Sequence, residues 1–523
     1  MGEGALTKLD PTGARLTPCN TPMRSPAMLD GVRRSCVESP DRNAFFIRDR
    51  FYSYRAFAEA ICAIEDVLRN NFAEERNIGI LAYDDLETYA AVFATWFAGK
   101  TMVPLGPSSP PDRNARIIEE AGVKVAFSSR STEGLAGPLT RYGTDFVCTA
   151  NLALAGAVPE TRRISEDEIA YVLFTSGSTG IPKGVPISHG ALQGFLDAFF
   201  ALGYQIDAND RFLQMFDLTF DLSLMSYCVP LMIGACAYTV PSDGIKYTHI
   251  YRLLEEQDIT CALMVPSILA HIRPFFSEIS LPQMRYSLFC GEALYDDLVS
   301  EWSRCIPNAL VQNVYGPTEA TIFCLTYDCH RECANKTNNS IVSIGRPMQG
   351  TGVLLIDELL RPVGTGEKGE LCLSGRQLTP GYWRNPEKTR DAFFLHDGHT
   401  YYRTGDICFS DPDGDLMYCG RLDHQVKIQG YRVELSEIEH HVREITGLNQ
   451  IAAVTCPDAA GNTTIHLFLE NYRGEIPDLI AGLKTRVPPY MIPAKIATLE
   501  AMPLNVNGKI DRPALSRRAQ NPS

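Results

Sequence analysis

Residues 173–190 read LFTSGSTGIPKGVPISHG, and their types suit the holding of phosphate. A short apolar run, 171–174, has the composition of a buried parallel strand. It empties into Thr175, Ser176, Gly177, Ser178, Thr179 and Gly180, a loop of small hydroxyls and glycines. In such a loop backbone N–H groups converge on a phosphate with no Cβ in the way, and the hydroxyls donate further bonds. Lys183 supplies a cation. The spacing departs from the kinase and GTPase loop G-x-x-x-x-G-K-[ST]. Pro182 stands in place of its second glycine, and Gly184 in place of its magnesium-binding hydroxyl. A plain Gly/Ser surface loop is the competing reading, and the motifs downstream decide between them.

A phosphate loop needs strands and helices to aim it. Residues 44–54 read as two short strands, followed by an amphipathic helix through 68. Then come a strand at 78–82, a helix at 86–98, a strand at 102–104, a helix at 112–121 and a strand at 123–127. After the loop a helix starts at 191, and strands fall near 237–240, 259–265 and 286–289. This alternation implies βαβ units and a largely parallel sheet, an α/β body. From 369 the character changes. Short strands at 370–373, 402–406 and 416–418, joined by turns such as Asp411-Pro-Asp-Gly414, suggest a small β-rich subdomain. Beyond it lie strands at 425–428 and 431–435, a helix with a capping box of Ser436 and Glu439, strands at 451–456 and 464–469, and a helix at 476–486. The expected boundary is at 420–423, giving an N-terminal body over 1–420 and a small mobile α+β lid over 421–523.

At 523 residues the chain exceeds one compact core. A net charge of −14 argues against a nucleic-acid or anionic-membrane binder, either of which needs excess Lys and Arg. No apolar run is long enough to span a bilayer, and residues 1–24 lack a leader's hydrophobic segment and are expected to be poorly ordered. Sixteen scattered cysteines then imply reduced thiols and a cytoplasmic protein. Cys324, Cys329, His330 and Cys333 are close in sequence, but without a paired C-x-x-C no metal site is expected there.

Several segments, taken in order, resemble the adenylate-forming superfamily of nonribosomal-peptide adenylation domains, acyl-CoA ligases and luciferases. FTSGSTGIPKG is similar to its phosphate loop, and Phe220-Asp221-Leu222-Ser223 to its amino-acid-recognition segment. Asn313-Val-Tyr-Gly-Pro-Thr-Glu319 is similar to its nucleotide and Mg²⁺ motif. Tyr402-Arg-Thr-Gly-Asp406 resembles its ribose motif, Gly420-Arg-Leu-Asp423 its hinge, and Asn507-Gly-Lys-Ile-Asp511 its catalytic-lysine loop. The resemblance implies a carboxylate attacking the α-phosphorus of ATP, with Mg²⁺, to give an acyl-adenylate and pyrophosphate. Two anions must meet, so cations and N–H donors have to offset repulsion that peaks in the transition state. By this resemblance Lys509 bridges carboxylate and nucleotide, and residues 175–179 hold the pyrophosphate, with Thr175 counted among the catalytic groups. Thr318 and Glu319 position the α-phosphate and the metal, Tyr315 and Gly316 lie near adenine, Asp406 accepts the ribose hydroxyls, and Arg421 sits at the ribose edge. Asp423 is the implied hinge. After its rotation the lid presents Lys427, Gln429 and Gly430, the glycine leaving room for a pantetheine arm.

Asp221 is the most informative single residue, because in the amino-acid-activating branch an aspartate here pairs with the substrate ammonium. Carried over by motif position, the side-chain pocket comprises Leu222, Met225, Ser267, Leu288, Cys290, Val314, Ile322 and Phe323. None is charged, so a charged substrate side chain would be buried unpaired. The runs 220–225 and 288–292 look most like D-alanine:carrier-protein ligases, with departures at Val314 and Phe323. The expected substrate is thus a small apolar amino acid (D-alanine, proline or similar). No pantetheinylated-serine motif follows Lys509, so the expected acceptor is a phosphopantetheinylated carrier protein in trans. The alternatives are an acyl-CoA ligase for a small carboxylic acid and a catalytically silent binding or sensing relative.

Overall fold

The computed structural model describes residues 7–8, 27–131, 139, 142–154, 156–177, 182–423, 425–504 and 510–520. Ser178, Thr179 and Lys509, and nearly all of 1–24, lie outside the described residues.

Two large sheets build the body. The first has nine strands in the order Arg346–Pro347, Leu325–Asp328, Leu310–Tyr315, Tyr286–Phe289, Cys261–Met264, Arg211–Gln214, Cys236–Thr239, Asn43–Ile47 and Arg50–Ser53. Its six inner strands run parallel, and its flanking strands pair antiparallel. The second has six strands, Asp145–Cys148, Val125–Ser128, Asn77–Leu81, Thr101–Leu105, Ile169–Thr175 and Lys183–Ser188, parallel except for the last. Inner strands such as Thr101–Leu105 and Cys261–Met264 are buried at every residue, which is why they read as apolar runs rather than alternations. The helix Leu86–Phe97 is buried at every residue but Glu87, as a helix enclosed on all sides must be. Asp85 starts it by accepting from the Thr88 amide at 3.0 Å. The α/β body expected from the alternation is therefore present, with antiparallel strands at its margins.

The β-rich unit is an antiparallel sheet of Thr7–Lys8, Phe393–His396, His399–Ser410, Gly369–Gly375 and Thr351–Ile356, with Leu416–Arg421 also pairing to His399–Ser410. The C-terminal unit opens with a hairpin, Gln425–Ile428 and Tyr431–Glu434, followed by the helix Leu435–Thr446 and a three-stranded sheet of Ile451–Pro457, Thr463–Glu470 and Lys495–Leu499. Alternation along these strands gives two cores. Ala453, Ile465 and Leu467 pack against the hairpin's Ile428 and Val433 and the helices Leu435–Thr446 and Ile476–Lys484. Ala452, Val454 and Phe468 pack on the other face against Leu515 and Ala519 of the helix Arg512–Gln520.

Two points differ from the sequence reading. That reading does not include the strand Lys183–Ser188, which runs antiparallel to Ile169–Thr175 and places Thr175 opposite Lys183. Residues 178–181, between these two strands, lie outside the described residues. The capping box does not form. Glu434 is the N-cap residue and Ser436 lies inside the helix. The Glu439 carboxylate is drawn instead to the Ala453 amide at 2.7 Å and to Arg512 at 2.6 and 3.0 Å.

Candidate active site

The cleft lies at the C-terminal ends of the parallel strands, where open α/β sheets place their ligands. Cys290 and Gly291 follow Tyr286–Phe289, Tyr315 ends Leu310–Tyr315, and Asp221 directly precedes the helix Leu222–Ile233. Asp221, Leu222, Cys290 and Ile322 share one cavity with Tyr315, Gly316 and Thr318 on one side and Asp406 and Arg421 on the other. The Asp221 carboxyl is 4% exposed, and its Oδ2 has no hydrogen-bond partner. Burial pushes its pKa up to about 6, against the opposing pull of the Thr318 hydroxyl and the Lys427 cation.

Next to Thr318, Glu319 is the charged centre of a buried cluster. Its fully buried carboxylate accepts from the Tyr382 hydroxyl at 2.7 Å, and Lys183 Nζ lies 3.4 Å away. Arg432 Nη1 approaches both oxygens, at 3.1 and 2.9 Å. Burial alone would raise this carboxyl. Arg432, Lys183 and the tyrosine hydroxyl outweigh it and hold the group well below the usual carboxylate range. Burial and the adjacent Arg432 lower Lys183 to about 8, and its ammonium also sits 4.8 Å from the Tyr382 ring centroid. An ionised carboxylate is the kind of oxygen donor that Mg²⁺ takes, so the chemistry of Glu319 fits the metal-holding role that the motif implies, with its oxygens covered here by Arg432, Lys183 and Tyr382. When bound, such an ion would offset charge on phosphate oxygens.

Asp406 accepts from the Tyr315 hydroxyl at 2.5 Å and from Arg421 at 2.7 Å. Arg421 also grips Asp423, at 2.7 and 2.9 Å, and so braces the chain where it passes from the β-rich unit to the C-terminal one. Thr175 Oγ1 is buried without a partner.

The C-terminal unit is seated on this cleft by its hairpin. Gly430 has φ +83° and donates to Glu292 at 2.9 Å, and its Cα faces Gly291. A Cβ on Gly430 would meet Val265 Cγ1 at 2.6 Å. Tyr431 donates to Asp217 and stacks on Tyr490 at 3.9 Å. Ser176 Oγ donates to the Arg432 carbonyl at 2.8 Å, and Glu437 accepts from the Gly177 amide at 3.1 Å while pairing with Arg113 at 2.7 Å. Beneath the hairpin lies a cavity of about 880 Å³, reached past Phe220, Val265, Thr318 and Gln429. Leu504 and Ile510 bridge to each other, and Ile510 packs with the core on the sheet face away from the hairpin.

Of the residues singled out by sequence, Asp221, Leu222, Cys290, Ile322, Tyr315, Gly316, Thr318, Asp406 and Arg421 line one cavity. Gly177 and Lys183 line an adjoining one with Asp423. Thr175, Ser176 and Ser267 face the large cavity. Met225, Leu288 and Val314 are buried in the body's core, and the Phe323 ring packs on Phe195 at 5.0 Å. Sequence reasoning did not single out Arg432, Tyr382, Glu437 or Glu292. Arg432 and Glu434 alternate with Val433 and Leu435, which are buried in the C-terminal core. That period-two pattern marks a charged face turned toward a partner surface.

The geometry matches a known class. Residues 32–383 match the family described as AMP-binding enzyme, and the chain belongs to that family of adenylate-forming ligases. More particularly, it is 30% identical over 503 residues to the D-alanine–D-alanyl carrier protein ligase of Bacillus cereus (strain AH187), covering 93% of this chain and 98% of that protein. It is 33% identical over 492 residues to a linear gramicidin synthase polypeptide of Brevibacillus parabrevis, covering 91% of this chain but only 6% of that far longer protein. Among solved structures, the Vibrio cholerae adenylation domain AlmE, in complex with glycyl-adenosine-5'-phosphate, superposes with a TM-score of 0.82 at 27% identity. That match covers 95% of this chain and 98% of AlmE. Enzymes of this family use ATP. No helix among the described residues is long and apolar enough to cross a membrane.

The Asp221 carboxyl carries a pH prediction. A carboxylate grips an ammonium only when ionised, and the substrate amine stays protonated throughout this range. Below about pH 6 the ionised fraction falls as the proton binds, so the KM for an amino acid should rise by up to about tenfold per pH unit. Pyrophosphate exchange at saturating ATP between pH 5 and 8 measures it; a KM flat across pH 6 would contradict it.

Proposed function

We propose that this chain activates a small apolar amino acid (D-alanine, proline or similar) to an aminoacyl-AMP, releasing pyrophosphate. It then passes the aminoacyl group to the pantetheine thiol of a separate carrier protein. The observation that carries the reading is the buried, half-partnered Asp221 carboxylate, which shares its cavity with Tyr315, Thr318 and Asp406. A substrate α-ammonium supplies the missing partner, and a plain carboxylic acid does not. The relatives named for D-alanyl carrier protein ligation and the glycyl-adenylate bound to AlmE agree with a small substrate.

In the first half-reaction a substrate carboxylate oxygen attacks the α-phosphorus and pyrophosphate leaves. Thr175, Ser176, Gly177 and Lys183, with Ser178 and Thr179, hold the phosphates, and Glu319 would hold Mg²⁺, which would supply charge to offset the phosphate oxygens. Asp406 takes the ribose hydroxyls, and Lys509 bridges the two reacting anions. In the second, the pantetheine thiol attacks the acyl carbon and AMP leaves. The hairpin seat, with Gly430 packed closely on Gly291, suits that step, since the absence of a Cβ on either residue keeps bulk out of the path proposed for an unbranched arm. Rotation about Asp423 exchanges the two seats.

Pyrophosphate exchange across a panel of D- and L-amino acids and their deaminated acids tests the first half. Transfer of the radiolabelled product to a pantetheinylated carrier, with coenzyme A as the competitor, tests the second. Equal exchange with the deaminated acids would replace this reading with that of an acyl-CoA ligase.

A further inference from the structure

Ile322 lines the Asp221 cavity on an unusual piece of backbone. Thr321 and Ile322 have φ values of +55° and +71°, left-handed conformations that β-branched residues rarely adopt. The chain has little slack there, because a Cβ on Gly316 would fall 2.3 Å from Phe323 Cα. Something must hold the turn in this state, and one side chain is placed to do so.

That side chain is Gln377, just beyond the strand Gly369–Gly375 and 4% exposed. Its Nε2 lies 2.9 Å from the Phe323 carbonyl oxygen and 3.3 Å from those of both Ala320 and Thr321. Its backbone carbonyl accepts from Thr321 Oγ1 at 2.5 Å, and its Oε1 accepts from Thr351 Oγ1 at 3.4 Å. Three carbonyls around Ile322 thus converge on one buried amide. A carboxylate or a thioether in its place has no N–H to give, and buried carbonyls left unpaired drive a chain to rearrange.

We propose that Gln377 is a positioning residue for substrate selection: it clamps the left-handed turn at Thr321–Ile322 and thereby fixes the wall that Ile322 presents to the substrate side chain. The inference rests on the amino-acid reading above. The clamp acts on the wall alone. Glu319, at the start of the same loop, has its own anchors in the Thr379 amide, at 2.8 Å from its carbonyl, and the Tyr382 hydroxyl. Releasing the turn should therefore alter the side-chain pocket while leaving nucleotide contacts in place.

The test is pyrophosphate exchange over a homologous series from glycine through alanine and 2-aminobutyrate to valine and leucine. Wild type is compared with Gln377→Met, which keeps volume without donors, and with Gln377→Glu and the milder Gln377→Asn. For Gln377→Met the KM of the preferred amino acid should rise about tenfold, the effect of losing one to two buried hydrogen bonds. The KM for ATP should stay within about twofold. The ratio of kcat/KM for the next larger homologue to that for the preferred one should rise at least about threefold, with Gln377→Glu moving furthest and Gln377→Asn least. A purely structural role would lower Tm and scale all substrates alike. A profile that keeps its shape in Met and Asn variants alike overturns the proposal, and Gln377→Asn decides it if the other two do not fold. If wild type exchanges with no amino acid, the amino-acid reading is what has failed. The clamp is then judged on carboxylic acids of the same side-chain lengths.

Discussion

Gly430→Leu is expected to leave aminoacyl-adenylate formation within about threefold of wild type and to reduce transfer to a pantetheine thiol by at least about a hundredfold. The argument is steric and applies to one seat only. With the hairpin on the cleft, a Cβ at 430 would already lie 2.6 Å from Val265 Cγ1, and φ +83° strains any residue with a side chain. A leucine would hold the hairpin off its seat and plug the approach beside Gly291. Adenylation on the proposed scheme uses the other seat, which the substitution does not touch. Lys509→Ala should give the mirror image, with exchange collapsing while transfer from supplied aminoacyl-adenylate persists. Single-turnover assays of each half-reaction measure both, and a Gly430→Leu enzyme that transfers normally would remove the hairpin from the thiol's path.

Asp221→Ala should lose amino-acid-dependent exchange by at least about a hundredfold in kcat/KM while binding ATP within about twofold. At about 4 Å an ammonium–carboxylate pair is worth on the order of 4 kcal/mol at an effective dielectric near 20. Asp221 is buried and its Oδ2 is unpartnered, so little of that attraction is already spent on other groups. Deaminated acids should be affected much less, because they bring no cation to the site. Asp221→Asn keeps shape and burial and should fail almost as badly, which separates charge from packing. An unaltered preference for amino acids in either variant would move the recognition residue elsewhere.

The legible parts of the chain were those fixed by local pattern. The apolar runs at 101–105 and 261–264 read as buried strands because both faces of each are covered. Asp221, Thr318 and Asp406, singled out through separate motifs, line one cavity in the fold. The strand Lys183–Ser188 was missed because Gly184 and Pro186 argue against a strand. It exists because it is the last strand of its sheet, where a missing N–H breaks no ladder. The capping box failed because Glu439 has a stronger partner in Arg512, seventy-three residues on. Arg432 escaped notice for the same reason: the carboxylate that explains it lies 113 residues away. Positions 225, 314 and 323 are buried in the body's core, and beyond the left-handed turn at Thr321–Ile322 the Phe323 ring packs on Phe195, a contact no motif count foretells. Long-range ion pairs and left-handed turns have no local signature.

Glu319 belongs to the body and Arg432 to the C-terminal hairpin, and one guanidinium nitrogen touches both carboxylate oxygens. A guanidinium brought to about 4 Å from a divalent ion on those oxygens would be repelled by roughly 8 kcal/mol at an effective dielectric near 20. On the proposed scheme Arg432 would have to withdraw from Glu319 before that carboxylate could hold such a cation. On that scheme a single carboxylate would serve as a turnstile between the two proposed half-reactions.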